Sequence, residues 1–119
     1  MNKINKNLNR MNKVLKAFKL VKSNILVKGQ STIIASYDKK MGINNHSSSE
    51  LEVIGSGDVV SGLIGSLVGA KKMSPLLAGC AATWLHGAIA KQHGKGLIAE
   101  DLVIGIPAAL KRLKKWKTY

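Results

Sequence analysis

Four consecutive residues, Gly55-Ser56-Gly57-Asp58, carry the clearest chemistry in the sequence. Glycines let backbone N–H groups approach an anion closely, and a helix that starts there adds its positive N-terminal end. Asp58 is out of place in a site that only binds phosphate, because its carboxylate repels the ligand. It is in place if it takes a proton from a hydroxyl that attacks a phosphoryl group, while the N–H groups stabilise the charge on the transferring phosphoryl. For so short a motif the alternative is that Asp58 caps a helix after a glycine turn.

Other reactive side chains are few. Cys80 is the one cysteine, which excludes an internal disulfide, a multi-cysteine zinc site and a stapled secreted fold. No activating base stands near it in sequence, so it reads as a small core residue. His86 lies beside the apolar face of a helix, His93 is seven residues on, and His46 is in a loop. None has a partner at metal-ligand spacing, and His86 reads as structural. Trp84 reads as core.

The elements that must position the glycine loop follow from apolar spacing. Leu8, Met11, Val14, Leu15, Phe18 and Val21 predict an amphipathic helix, preceded by polar, frayed residues 1–7. Ile25-Leu26-Val27 predicts a buried strand stopped by a tight turn at Lys28-Gly29, and Thr32 to Ala35 a second. Tyr37 to Lys40 is a turn, Met41 to Ile43 a candidate third strand, and Asn44 to Glu50 a loop. The pairs Val59-Val60, Leu63-Ile64 and Leu67-Val68 recur every four residues, so the glycine loop runs into a helix. Ser74 as N-cap and Pro75 at the first position open another helix, with Leu77, Ala81, Trp84, Leu85 and Ala88 on its apolar face. Gly94-Lys95-Gly96 ends it. In the last helix Glu100 and Asp101 suit the N-terminal dipole, Lys111, Arg112, Lys114 and Lys115 suit the C-terminal one, and Pro107 predicts a kink. The order is one helix, two or three short strands, then three helices. This is an α/β chain whose strands need covering on both faces.

The 119 residues carry a net charge of +13, enough chain for one small domain or part of a larger one. Residues 1–30 hold eight basic and no acidic side chains, residues 31–60 two and four, and residues 61–119 nine and two. Such basic ends attract phosphates, nucleic acid or an anionic membrane, or they are simply solvated helix faces. Aromatics are 4% of the chain and do not interleave with the basic residues, which argues against stacking on bases. No apolar stretch reaches the roughly 20 residues of a bilayer span. No nucleic-acid or membrane partner is therefore expected, although a small basic helical protein binding one of them is the competing function class. The N-terminus lacks the apolar run and cleavage site of a secretory signal, so a cytoplasmic location is expected.

In order along the chain stand Lys28-Gly29-Gln30-Ser31-Thr32, the run G-S-G-D-V-V-S-G from Gly55 to Gly62, Ser74-Pro75, Trp84-Leu85-His86-Gly87, Ala99-Glu100-Asp101-Leu102 and Ile106-Pro107-Ala108-Ala109-Leu110. This ordered set resembles the C-terminal part of the ADP- or ATP-dependent NAD(P)H-hydrate dehydratases, which have the ribokinase-like fold. The resemblance covers Ile25 to Lys115 and divides the chain into a basic N-terminal helix (1–24) and a dehydratase-like part (25–119). It implies a lyase of metabolite repair, which uses ADP or ATP to phosphorylate the hydroxyl of hydrated NADH or NADPH before phosphate loss restores the coenzyme. By the same resemblance Asp58 contacts the hydrated ring and serves as the base. Gly55, Ser56, Gly57 and the turn Lys28, Gly29, Gln30, Ser31 and Thr32 contact the nucleotide. Gly29 permits close approach, Thr32 supplies a hydroxyl, and Mg2+ bridges the phosphates.

Two departures from the family pattern stand out. Family members have a much longer dehydratase domain, whose N-terminal portion supplies much of a central parallel sheet and part of the coenzyme site. Met1 to Lys22 cannot replace it. The expectation is a fragment inactive alone, a homo-oligomer, or a subunit completed by a separate N-terminal half. In addition, Leu51-Glu52-Val53-Ile54 stands where the family carries a Leu or Met-Ala-Thr run. The charge of Glu52 and the missing hydroxyl at Val53 are both expected to weaken nucleotide binding.

Overall fold

Short strands joined by short turns can pair only as antiparallel neighbours, since a parallel connection needs about a dozen residues or more. A computed structural model of the chain, which describes residues 3–116, has this arrangement. Strands β1 (Ile25–Val27), β2 (Thr32–Ala35) and β3 (Met41–Asn44) form an antiparallel sheet in the order β1-β2-β3. Leu26 stands opposite Ile34 and Ile34 opposite Gly42, while Ile33 pairs with Val27 and Ile43. Both strand pairs are antiparallel.

Side chains alternate across this sheet, and each face has its own cover. Helix α1 (Lys3–Val21) covers one face, where Val14 packs on Ile33 and Ala35, flanked by Met11, Phe18, Val27 and Met41. Helix α3 (Pro75–His93, with α2 at Ser56–Gly69 preceding it) covers the other. There Gly79 lies so close to β2 that a Cβ on it would sit 3.1 Å from Ile34 Cγ2. Every residue of β2 is buried as a result. Cys80 packs against Gly42 on the same side, and burial pushes its thiol pKa up, in keeping with a core role. The first helix starts at Lys3, earlier than the apolar spacing indicated.

Sequence punctuation sets the remaining elements. A single 3-10 turn (Ser49–Leu51) follows β3. Ser74 Oγ accepts a hydrogen bond from the Leu77 N–H at 3.4 Å, with Pro75 in the first turn, as expected for the start of α3. Helix α4 (Ala99–Trp116) follows, and Asp101 at its start accepts from the Ile98 N–H at 2.9 Å. It stays helical through Pro107. The carbonyl that loses its helical donor there belongs to Val103, an exposed residue that water can serve. A second core cluster joins α3 to α4 through Leu85, Ile89, Ala90, Leu97, Leu102 and Ala109.

Gly105 lets the two helices approach closely, since a Cβ on it would overlap Ile89 Cγ2. Gly105→Ala is expected to lose roughly 1–3 kcal/mol to overpacking, partly offset by about 1 kcal/mol of helix propensity. Denaturant unfolding would register the net loss as a lower midpoint with an unchanged slope.

Candidate functional site

Gly55 has φ +87°, a left-handed conformation that suits glycine and turns the chain into α2 without a side-chain cap. Two hydrogen bonds then fix the loop. Ser56 Oγ donates to the Leu51 carbonyl at 2.7 Å, and the Ser56 carbonyl lies 2.9 Å from His86 Nε2 on α3. His86 is 2% exposed. Burial, with the Lys28 charge as a second cause, holds its pKa below the usual range, and the Ser56 hydrogen bond opposes this only in part. The ring is therefore neutral at pH 7, and Nε2–H donates to Ser56.

The turn after β1 meets this loop. A Cβ on Gly57 would lie 3.8 Å from Lys28 Nζ, so the ammonium stands over the glycine segment. Between them opens a cleft of about 700 Å³. The Lys28 turn and Ser56 form one part of its wall, Thr83 and His86 of α3 its floor, and the loop from Asn44 to Ser49 its outer wall.

That outer wall is braced from several sides. Ser31 Oγ donates to Asn45 Oδ1 at 2.6 Å, and the His46 N–H donates to Asn44 Oδ1 at 2.9 Å. The His46 ring stacks on Trp84 with centroids 5.3 Å apart and planes 13° from parallel. Lys91 Nζ lies 3.2 Å from His46 Nδ1. Burial and the Lys91 charge lower the His46 pKa, so the neutral ring accepts from the ammonium. Ser48 and Ser49 hydroxyls donate to the Glu50 carboxylate, and these bonds hold its pKa down.

Of the residues singled out from the sequence, Lys28, Gly29, Gln30, Thr32 and Ser56 line the cleft, and Gly57 borders it beneath Lys28. Ser31 is spent on holding Asn45. Gly55 serves as the helix N-cap, so Asp58 does not cap; it sits exposed in the first turn of α2, outside the cleft wall. Glu52 and Val53 are in the wall. The sequence did not reveal Thr83, His86 or the Asn44–Ser49 segment as wall residues. Their signals were only a histidine followed by glycine and a run of Asn and Ser. Among the described residues no group of three or more His, Cys, Asp or Glu side chains could hold a metal ion.

The neutral, buried His86 makes stability depend on pH. Its folded pKa is depressed, so its contribution is complete above the unfolded value near 6.5 and is lost as pH falls below it. Thermal melts are expected to show the midpoint falling from pH 7 to pH 5 in wild type, and falling less in His86→Gln, whose amide can still donate to Ser56.

The family model for NAD(P)H-hydrate dehydratase matches residues 1–106. The chain belongs to this family. The match takes in α1 as well as the motif-bearing remainder. An ADP-dependent (S)-NAD(P)H-hydrate dehydratase of Neisseria meningitidis serogroup B is 42% identical over 66 residues, covering 56% of this chain and 22% of that protein. A bifunctional NAD(P)H-hydrate repair enzyme, Nnr, of Moorella thermoacetica is 34% identical over 96 residues, covering 76% and 18%. The solved structure of Bacillus subtilis YxkO, a member of the UPF0031 family, superposes with a TM-score of 0.74 at 27% identity, over 82% of this chain and 38% of that one. The chain thus spans only about a fifth of these two curated relatives. In this member of the NAD(P)H-hydrate dehydratase family, no helix among the described residues is long and apolar enough to cross a membrane.

Proposed function

We propose that this chain carries the nucleotide-binding part of an ADP- or ATP-dependent NAD(P)H-hydrate dehydratase working in the cytoplasm. The observation that carries the reading is the meeting of two distant motifs, Lys28–Thr32 and Ser56-Gly57, at one polar cleft, with the Lys28 ammonium over Gly57. A point positive charge and a helix N-terminus beside the same space both favour phosphate. Mg2+ fits this site as a companion of the phosphates rather than as a protein-caged ion, because no acidic cage surrounds the cleft among the described residues. Its charge would neutralise the phosphate oxygens when bound.

The position of Asp58 is compatible with a role as base. It is outside the cleft wall and exposed, so it need not crowd the phosphates. A hydroxyl-bearing substrate can reach it beside the nucleotide. There Asp58 takes the hydroxyl proton as the oxygen bonds to the terminal phosphorus and the bond to the departing nucleotide oxygen breaks. Later loss of phosphate restores the nicotinamide ring. Hydrated NADH or NADPH is the substrate this reading requires.

The chain spans about a fifth of the curated relatives' length, and in this reading the rest of the coenzyme site comes from the part of the fold those relatives have beyond the match. The test is recovery of NADH from its hydrate with ADP and Mg2+. No recovery is expected from the purified chain alone, and recovery is expected once the N-terminal portion of a full-length relative is added. Turnover by the chain alone would contradict the need for completion. Failure of the mixture, with no nucleotide bound, would contradict the whole reading.

A further inference from the structure

We propose that Arg10, on the basic N-terminal helix, is the positioning residue of the Lys28–Ser31 turn, and that position 29 is glycine to make room for it. The functional part of this proposal rests on the nucleotide reading above. Arg10 Nη1 donates to the Ser31 carbonyl at 2.6 Å, and Nη2 donates to the Lys28 carbonyl at 3.3 Å. One planar fork therefore holds both ends of the turn, a task for which Lys has no geometry. The peptide group is planar and trans, so a Lys28 carbonyl drawn toward α1 turns the Gly29 N–H away from α1. The cleft opens on that side, and no α1 residue lines it. Arg10 thus presents a backbone donor, beside the Lys28 ammonium, to whatever anion enters.

Gly29 supplies the second, independent observation. A Cβ there would lie 2.6 Å from Arg10 Nη2, 2.9 Å from Cζ and 3.0 Å from Nη1. Its backbone is not in the left-handed region, which the described glycines occupy at 55, 94 and 96. Conformation therefore does not demand glycine at 29; the guanidinium does. The sequence reading assigned this glycine to close approach of the nucleotide. The two accounts differ in a measurable way, because in the present one Gly29 matters only while Arg10 is there.

The test is a double-mutant cycle on the full chain: wild type, Arg10→Ala, Gly29→Ala and the double variant, with Arg10→Lys and Lys16→Ala alongside. ADP with Mg2+ is titrated by calorimetry, and amide exchange at Gln30 and Ser31 is followed without nucleotide. Arg10→Ala and Gly29→Ala are each expected to weaken ADP binding by about tenfold, the scale of a lost charge-assisted hydrogen bond. The double variant should be no worse than either single one. Arg10→Lys should not restore affinity, and Lys16→Ala, which removes the same charge from the same helix, should bind as wild type. Losses that multiply in the double variant, or an Arg10→Ala protein that binds as wild type, would overturn the proposal. If Arg10→Ala fails to fold, Gly29→Ala alone displaces the guanidinium while keeping the side chain on α1. If wild type binds no ADP, the functional reading fails, and exchange decides on Arg10. Faster exchange, equal in both single variants, supports its role in setting the turn, and unchanged exchange overturns it.

Discussion

Gly87→Ala is expected to remove the outer wall of the cleft and with it nucleotide binding. A Cβ at this position would overlap the carbonyl oxygen of His46 and lie 2.8 Å from its carbonyl carbon. The obstacle is backbone, so no side-chain rotation relieves it. The helix cannot retreat, because α3 is held by the buried His86 and by Leu85 and Ile89 in the core. The loop must yield, and its yielding breaks the His46–Trp84 stack, the Lys91 contact and the Asn45 grip on Ser31. A stability loss of roughly 1–3 kcal/mol is the usual consequence of such overpacking. The larger effect is on function, because the displaced loop no longer closes the outer side of the cleft against the nucleotide. Thermal melts and ADP calorimetry on this variant separate the two. A protein that melts like wild type and still binds ADP would show that the loop is not held against α3.

Asp58→Asn is expected to do the opposite: leave stability and nucleotide affinity intact while removing turnover. Asp58 is exposed and its side chain forms no hydrogen bond or ion pair among the described residues, so its loss leaves nothing unpaired. Removing a carboxylate near a phosphate site leaves ADP affinity unchanged or improves it. Loss of a general base lowers the rate by roughly 10²–10⁴-fold. The measurement is NADH recovery by the completed enzyme beside ADP calorimetry on the same variant. Equal loss in both would place Asp58 in nucleotide binding and remove its role as base.

What the sequence revealed tracks how local each feature is. The Ser74-Pro75 start of α3 and the extents of α2, α3 and α4 are read from neighbours in the chain, and the structure has them. The face α3 buries was misread: Leu77 is exposed, and the helix turns Ala78, Gly79, Ala82, Thr83, His86, Ile89 and Ala90 inward, because its small residues let the sheet and α4 approach closely. The strands were placed within a residue, but their pairing was not, because pairing depends on the connections and on which face each neighbour covers. The glycine loop was legible as a motif. Its partner His86, thirty residues away, was visible only as a histidine on an apolar helix, which is indistinguishable from a core residue until α3 is docked. Arg10 was one of eight basic residues in the first thirty, and nothing in its spacing set it apart from the solvated lysines. For the same reason the packing of α1 onto Ile33 and Ala35 through Val14 was not legible among its solvated lysines.

The most direct test of the account is calorimetric titration of ADP with Mg2+ into the wild-type chain, with Gly57→Val as the control. Valine at 57 would push methyl groups against the Lys28 ammonium, which a Cβ already approaches to 3.8 Å. Saturable binding by wild type that Gly57→Val abolishes is the expected result, and it would establish that the Lys28 turn and the glycine loop act as one phosphate site. No binding by wild type, or equal binding by Gly57→Val, would contradict it.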